Sequence, residues 1–295
     1  MSLWTDFLGA EIRPLHTPSF GPIRIARAGD PRSDALILLH GIGGHLEAYA
    51  KNVVALSAHY HVIACDFIGH GLSAKPTDIE YSIDAYVTQV RELMDALDIE
   101  RAHISGESMG GAITGHFAVR YPERVKRIIL NTSGGIPVVS DKGRQDAKTL
   151  AELTARNVGQ PPTMESVRKR MQWLLYEGNW GLLTDELVGT RLRIYQSPEF
   201  QNSAPHVFGR LMKAASGGTG GGTPLIELEK LACETLLLWT RFNPIHDIAA
   251  AEAALPRIAR GRLYVMQGDC AHWPQYECAE EFNQVVHRFL ASGKA

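Results

Sequence analysis

His103-Ile104-Ser105-Gly106-Glu107-Ser108-Met109-Gly110-Gly111-Ala112 reads as a buried strand that turns through Gly-x-Ser-x-Gly into a helix. A serine at the centre of that pattern sits on a turn so tight that the residues two places away on each side must be small. Gly106 and Gly110 fill those places, and Gly111 keeps the helix close to the sheet. The reading is that of a nucleophile elbow presenting the Ser108 hydroxyl. Gly-x-Ser-x-Gly also arises by chance in glycine-rich chains, so the flanking sequence has to support it.

Upstream, Ala35-Leu36-Ile37-Leu38-Leu39 is a short unbroken apolar run, the pattern of a strand covered on both faces in a parallel sheet. It leads directly into His40-Gly41-Ile42-Gly43-Gly44, a polar, glycine-rich loop where open α/β sheets place their ligands. A second such strand, His61–Cys65, ends in Asp66-Phe67-Ile68-Gly69-His70-Gly71-Leu72-Ser73. Ser82 can then cap a helix whose apolar residues Tyr86, Val87, Val90, Leu93, Met94 and Leu97 keep the 3.6 period. Residues 11–28 carry short β-like runs before all of these. Downstream of the elbow, a helix from Met109 to Tyr121 stops at Pro122, and Val125–Leu130 is the next strand. Strands alternating with helices predict a mostly parallel, doubly wound α/β sheet.

The alternation breaks at about residue 135. Helix-like stretches follow instead (Asp146–Asn157, Met164–Tyr176, Thr184–Tyr195 and Pro205–Ala215), closed by the glycine-rich run Ser216–Thr223. That run has no Gly-Lys-Ser/Thr after it, so it reads as a flexible hinge and not as a phosphate-binding loop. Buried strands then resume at Thr235–Trp239 and Arg262–Met266, and a last helix covers about Ala279–Leu290. The predicted organisation is a core over 1–134, an inserted helical cap over 135–222, and the remainder of the core over 223–295.

With 295 residues, 45% hydrophobic and 21% charged, the chain has the composition of a globular enzyme. A net charge of −2 gives no nucleic-acid footprint, and Val167-Arg168-Lys169-Arg170 reads as a solvated helix face. The four cysteines lack Cys-x-x-Cys spacing, so reduced buried thiols are expected rather than disulfides or a metal site. No signal peptide is evident, and no apolar stretch approaches the ~20 residues a membrane span needs. The expectation is a cytoplasmic protein with a small-molecule substrate and neither a nucleic-acid nor a membrane partner. A homodimer or higher homo-oligomer is compatible with it.

A serine nucleophile needs a base, and the base needs a residue to orient it. His272, in Gly268-Asp269-Cys270-Ala271-His272-Trp273-Pro274, follows the last strand on the sheet edge to which the elbow also projects. It is the candidate base. The oxyanion of an acyl-transfer intermediate would be held by backbone N–H groups of Met109, next to the nucleophile, and of Ile42 in the His40–Gly44 loop. Such chemistry needs no metal or organic cofactor.

Along nearly its whole length the chain resembles the α/β-hydrolase superfamily. His40-Gly41, Asp66–Ser73, Gly106–Gly111 and Cys270–Trp273 match superfamily motifs in order. Within it, the chain is most similar to the meta-cleavage-product hydrolases, which hydrolyse carbon–carbon bonds in 2-hydroxy-6-oxo-dienoates from aromatic ring fission. Ala271–Glu277 with Ala279–Asn283 is similar to their C-terminal motif, and Leu183–Arg191 with Ser197–Glu199 to the cap stretch carrying a substrate-binding arginine. The resemblance implies that Arg191 holds the carboxylate or oxo end of a dienoate and that Trp273 lines the pocket. A planar guanidinium suits that task, because it offers a carboxylate two parallel hydrogen bonds.

Three places depart from the family. Asn243 stands where the acid usually follows the Thr235–Trp239 strand; its amide oxygen can orient an imidazole but brings no charge to an imidazolium. Asp247, four residues on, is therefore the expected acid, with Asn243 the alternative orienter. Glu107 occupies the position before the nucleophile, where these hydrolases commonly have Asn, and His40–His45 lacks their Gly-Pro-Gly form and looks more like esterases. The expected activity is serine-dependent hydrolysis of a dienoate carbon–carbon bond. A carboxylesterase or lactonase using the same residues is the alternative. A ligand-binding protein of this fold is the third reading, prompted by Asn243.

Overall fold

A computed structural model describes residues 2–157, 160–215 and 223–294. Its strands are β1 (Glu11–Thr17), β2 (Gly21–Ala28), β3 (Ala35–Leu39), β4 (His61–Cys65), β5 (Ala102–Glu107), β6 (Val125–Asn131), β7 (Glu234–Trp239) and β8 (Gly261–Val265). Its helices are α1 (Leu3–Asp6), α2 (Ala50–Leu56), α3 (Ile83–Ala96), α4 (Met109–Arg120), α5 (Asp141–Asn157), α6 (Met164–Leu174), α7 (Asp185–Gln196), α8 (Pro198–Ala215), α9 (Ile248–Ala254), α10 (Pro274–Glu277) and α11 (Ala279–Ser292).

The strands form one eight-stranded sheet in the order β1-β2-β4-β3-β5-β6-β7-β8. β1 and β2 are antiparallel to their neighbours, and the strands from β4 to β8 run parallel. From β3 the chain steps to β4 on one side, then crosses back to β5 on the other. The order therefore reverses between β3 and β5, and a crevice opens at the carboxyl ends of those two strands. Leu39 lies opposite Gly106 there, so the His40–Gly44 loop and the elbow emerge side by side.

The apolar runs are fully buried because helices cover both sheet faces, and successive side chains alternate between two cores. Ile37, Leu39, Ile63 and Ile104 pack on one side with Ile113 and Phe117 of α4 and with α9. Leu36, Leu38, Val62 and Ala64 pack on the other with Val53 of α2 and with Phe282, Val285 and Phe289 of α11. β8 differs from the expected buried strand. It is the last strand of the sheet, and its residues are half-buried or exposed.

Between β6 and β7 come α5 to α8, with α6 packed on α7 and α5 on α8. Pro205 reads as a helix start, yet α8 begins at Pro198 and carries Pro205 in its interior. The start is set by Ser197, whose hydroxyl accepts the Phe200 N–H at 3.3 Å, and proline is readily accepted at a first helical position. The predicted hinge at Ser216–Thr223, and with it the boundary at 222, lies outside the described residues apart from Thr223. Among the described residues no helix is long and apolar enough to cross a membrane.

Candidate active site

β5 ends at Glu107, and Ser108 follows with φ 54° and ψ −116°, a backbone conformation that a residue with a side chain rarely adopts. The turn is held from three sides. The Ser108 N–H donates to the Asn131 carbonyl (3.1 Å), while the Ser108 carbonyl accepts from Gly134 (2.8 Å) and Ala112 (3.1 Å). Close approach explains the flanking glycines. A Cβ on Gly106 would lie 2.1 Å from the Gly110 carbonyl oxygen, and one on Gly110 would lie 2.2 Å from that of Leu39.

Ser108, Ile42, Met109, His272, Trp273 and Arg170 line one cavity. Met109 opens α4, and the first N–H groups of a helix have no partner within it, so this donor is available to an oxyanion. The shape of the neighbouring loop depends on a buried neutral histidine. His40 Nε2 accepts the Phe67 N–H (3.1 Å), leaving Nδ1–H to donate to the Gly41 carbonyl (2.7 Å). Burial pushes the His40 imidazole down to about 3.

His272 is clamped before its ring is used. Thr132 Oγ1 donates to the His272 carbonyl (3.1 Å), and the His272 N–H donates to the Leu174 carbonyl (2.9 Å). Glu277 takes the N–H groups on either side, Ala271 at 2.9 Å and Trp273 at 3.2 Å, through one oxygen. Its other oxygen accepts from the Tyr176 N–H (2.8 Å) and Asn179 Nδ2 (3.1 Å), which ties this loop to the segment between α6 and α7. Burial raises the Glu277 carboxyl above its ordinary value against these hydrogen bonds.

The orienting contact differs from the expected one. Asn243 Oδ1 lies 2.9 Å from His272 Nδ1, whereas the Asp247 carboxylate accepts the Ser140 hydroxyl. Asp247 stands at the start of α9, and its loop has turned it away from the imidazole toward the chain between β6 and α5. Asn243 therefore occupies the place at the imidazole in which Asp247 was expected. His246 also lines the cavity, its imidazole lowered to about 4 by burial and then by neighbouring His272. The Nε2 edge of His272 lies 3.0 Å from Glu107 Oε1, a contact that sequence reasoning missed.

The arginines also differ from expectation. Arg191, on α7, is buried rather than lining the cavity; its guanidinium carbon stands 4.9 Å from the centre of the Trp273 ring. Its Nε donates to His45 Nε2 (3.3 Å), and its Nη2 has no hydrogen-bond partner. Arg170, read as part of a solvated face, reaches the cavity. Burial and the charge of Arg191 lower its pKa from the ordinary arginine value. Helical spacing holds the clue: Arg170 is three residues after Val167 and four before Leu174, which places it beside the buried side of α6.

Residues 34–279 match the family model of the alpha/beta hydrolase fold, so a sheet with its strand order reversing beneath a serine elbow is accounted for: the chain belongs to the α/β-hydrolase family. The proteins similar to it include semialdehyde and dienoate hydrolases. It is 31% identical over 263 residues to a 2-hydroxymuconate semialdehyde hydrolase of Pseudomonas sp. (strain CF600), with 88% of each chain covered. It is 32% identical over 264 residues to a 2-hydroxy-6-oxo-6-phenylhexa-2,4-dienoate hydrolase of Comamonas testosteroni, with 87% of each covered. A solved meta-cleavage product hydrolase from Pseudomonas fluorescens IP01 aligns with a TM-score of 0.80 at 27% identity, over 97% of this chain and 100% of that one.

Proposed function

We propose that this α/β-hydrolase cleaves a carbon–carbon bond in a 2-hydroxy-6-oxo-dienoate, a small-molecule product of aromatic ring fission, in the cytoplasm. Ser108 Oγ attacks the distal carbonyl carbon after ketonisation of the dienol, and its proton passes to His272 Nε2. The carbonyl electron pair moves onto oxygen, where the N–H groups of Met109 and Ile42 hold it. Collapse breaks the carbon–carbon bond, with the Nε2 proton passing to the departing carbon, and water then hydrolyses the acyl-serine. Asn243 fixes the ring through Nδ1.

The observation that carries the choice of substrate is the pair of arginines. Arg170 lines the cavity that holds Ser108, and Arg191 stands against Trp273 with an unpartnered Nη2. A guanidinium in the cavity wall, with a second one buried against Trp273, favours a substrate bearing a carboxylate. A simple neutral ester makes no use of them.

Bleaching of the dienolate absorbance of a ring-fission product tests the reading. The wild type should turn over the dienoate faster than a neutral aryl ester, and Ser108→Ala should abolish both reactions. Arg170→Ala should raise KM for the dienoate about tenfold or more, the worth of one charge-assisted hydrogen bond, and leave the neutral ester unchanged. A dienoate rate no better than the aryl-ester rate would falsify the carbon–carbon assignment and leave a carboxylesterase or lactonase.

A further inference from the structure

The carboxylate missing from position 243 has a counterpart on the other edge of the imidazole. Asn243 Oδ1 takes the Ile245 N–H at 3.3 Å as well as facing His272 Nδ1 at 2.9 Å. That backbone donor marks the atom as the amide oxygen, so Nδ1 carries a hydrogen and donates it. Asn243 sets the tautomer of His272 and supplies no charge.

Glu107 supplies one. It is 2% exposed, and Oε1 lies 3.0 Å from His272 Nε2 while Oε2 accepts the Gly41 N–H at 2.7 Å. Among the described residues, His272 is the only basic side chain or terminus that pairs with it. The His40–Gly44 loop is shaped for this carboxylate, because a Cβ on Gly41 would lie 2.6 Å and 2.9 Å from its two oxygens. Nε2 is the edge at which the imidazole gains positive charge when it takes the proton of Ser108, and the Glu107 carboxylate stands 3.0 Å from it.

We propose that Glu107 is the charge partner of His272, a positioning residue that performs from the Nε2 edge what an acid at 243 would perform from the Nδ1 edge. The proposal rests on the Ser108–His272 reading given above. When the Ser108 O–H bond breaks and an N–H bond forms at Nε2, the carboxylate balances the new positive charge and holds the ring. The proton then leaves Nε2 for the departing group, and Glu107 remains a carboxylate throughout.

The test is kinetic rescue, read on both the dienoate and 4-nitrophenyl acetate. Glu107→Gln keeps the size and the acceptor for Gly41 but removes the charge. It should lower kcat about 100-fold, less than the ~10⁴ that loss of an acid at the Nδ1 edge costs because Asn243 still holds the tautomer, with KM within about threefold. Adding Asn243→Asp to that variant should recover about tenfold or more, because a carboxylate then meets Nδ1. Should Glu107→Gln fail to fold, Glu107→Asn with and without Asn243→Asp replaces it, asparagine being common at this place in the meta-cleavage-product hydrolases. A kcat within about threefold of wild type, or no recovery on adding the acid, overturns the assignment. Unimpaired hydrolysis by Ser108→Ala would instead remove the Ser108–His272 reading itself. A poor dienoate rate beside a good ester rate would remove only the substrate, and the rescue stays readable on the ester.

Discussion

At the scale of single residues, Ser108 is held in a conformation that costs about 1–3 kcal/mol for a residue with a side chain. The surrounding turn imposes it through hydrogen bonds to Asn131, Gly134 and Ala112. Gly110→Ala should destabilise the fold by about 1–3 kcal/mol in urea unfolding, because the added methyl meets the Leu39 carbonyl and the helix or strand has to move. The neighbours of His272 make a second residue-scale prediction. Asn243→Ala should lower kcat at least about tenfold, since Nδ1 loses the oxygen that fixes its tautomer, whereas Asp247→Ala should leave kcat within a few-fold. An equal loss from both variants would contradict the geometry.

Among the elements, α10 carries the residue on which the site's rigidity depends. Glu277 receives N–H groups from Ala271, Trp273 and Tyr176, joining the loop of His272 to the segment between α6 and α7. Glu277→Ala leaves those donors without their acceptor, each worth about 1–3 kcal/mol when buried. The variant should melt at lower temperature and lose kcat on every substrate alike, which separates it from Arg170→Ala, where the loss falls on KM for carboxylated substrates. The fold itself was largely legible at this scale. Strands covered on both faces must be continuously apolar, and Ala35–Leu39, His61–Cys65 and Thr235–Trp239 carry that composition openly. The short α2 and α9 were not legible, for seven residues carry too few turns to establish a period.

Across the whole molecule, a buried charge network joins the antiparallel edge of the sheet to Arg191 beside Trp273. Arg24 of β2 meets Glu47 at 2.7 Å and Asp66 at 2.6 Å, Glu47 meets His45 Nδ1 at 2.7 Å, and His45 Nε2 takes the Nε–H of Arg191. Burial acts to raise the Glu47 carboxyl, but His45 and Arg24 override it and hold it well below its ordinary value of 4.5. A carboxyl lowered on folding adds stability that is full above that value and is lost as pH falls toward its folded pKa. Wild type should therefore exceed Glu47→Gln in urea midpoint at pH 7, and the gap should narrow below pH 4.5. Glu47→Ala should cost about 3 kcal/mol or more at pH 7, because Arg24 loses a buried partner.

The sequence by itself determined the elbow serine, the candidate base and the sheet that presents them. Each is written in local chemistry: small residues around Ser108, apolar runs for buried strands, and His272 placed after the last one. Tertiary structure decided the partners of that base and the polarity of the cavity. Asn243 and Asp247 are four residues apart on one loop, and only the path of that loop turns one toward His272 and the other toward Ser140. Glu107 and His272 are separated by most of the chain and meet because β5 and β8 end on the same sheet edge. Arg170 looks like one more surface charge until α6 packs and turns it inward. A contact across such distances depends on how elements pack, and local sequence does not encode it.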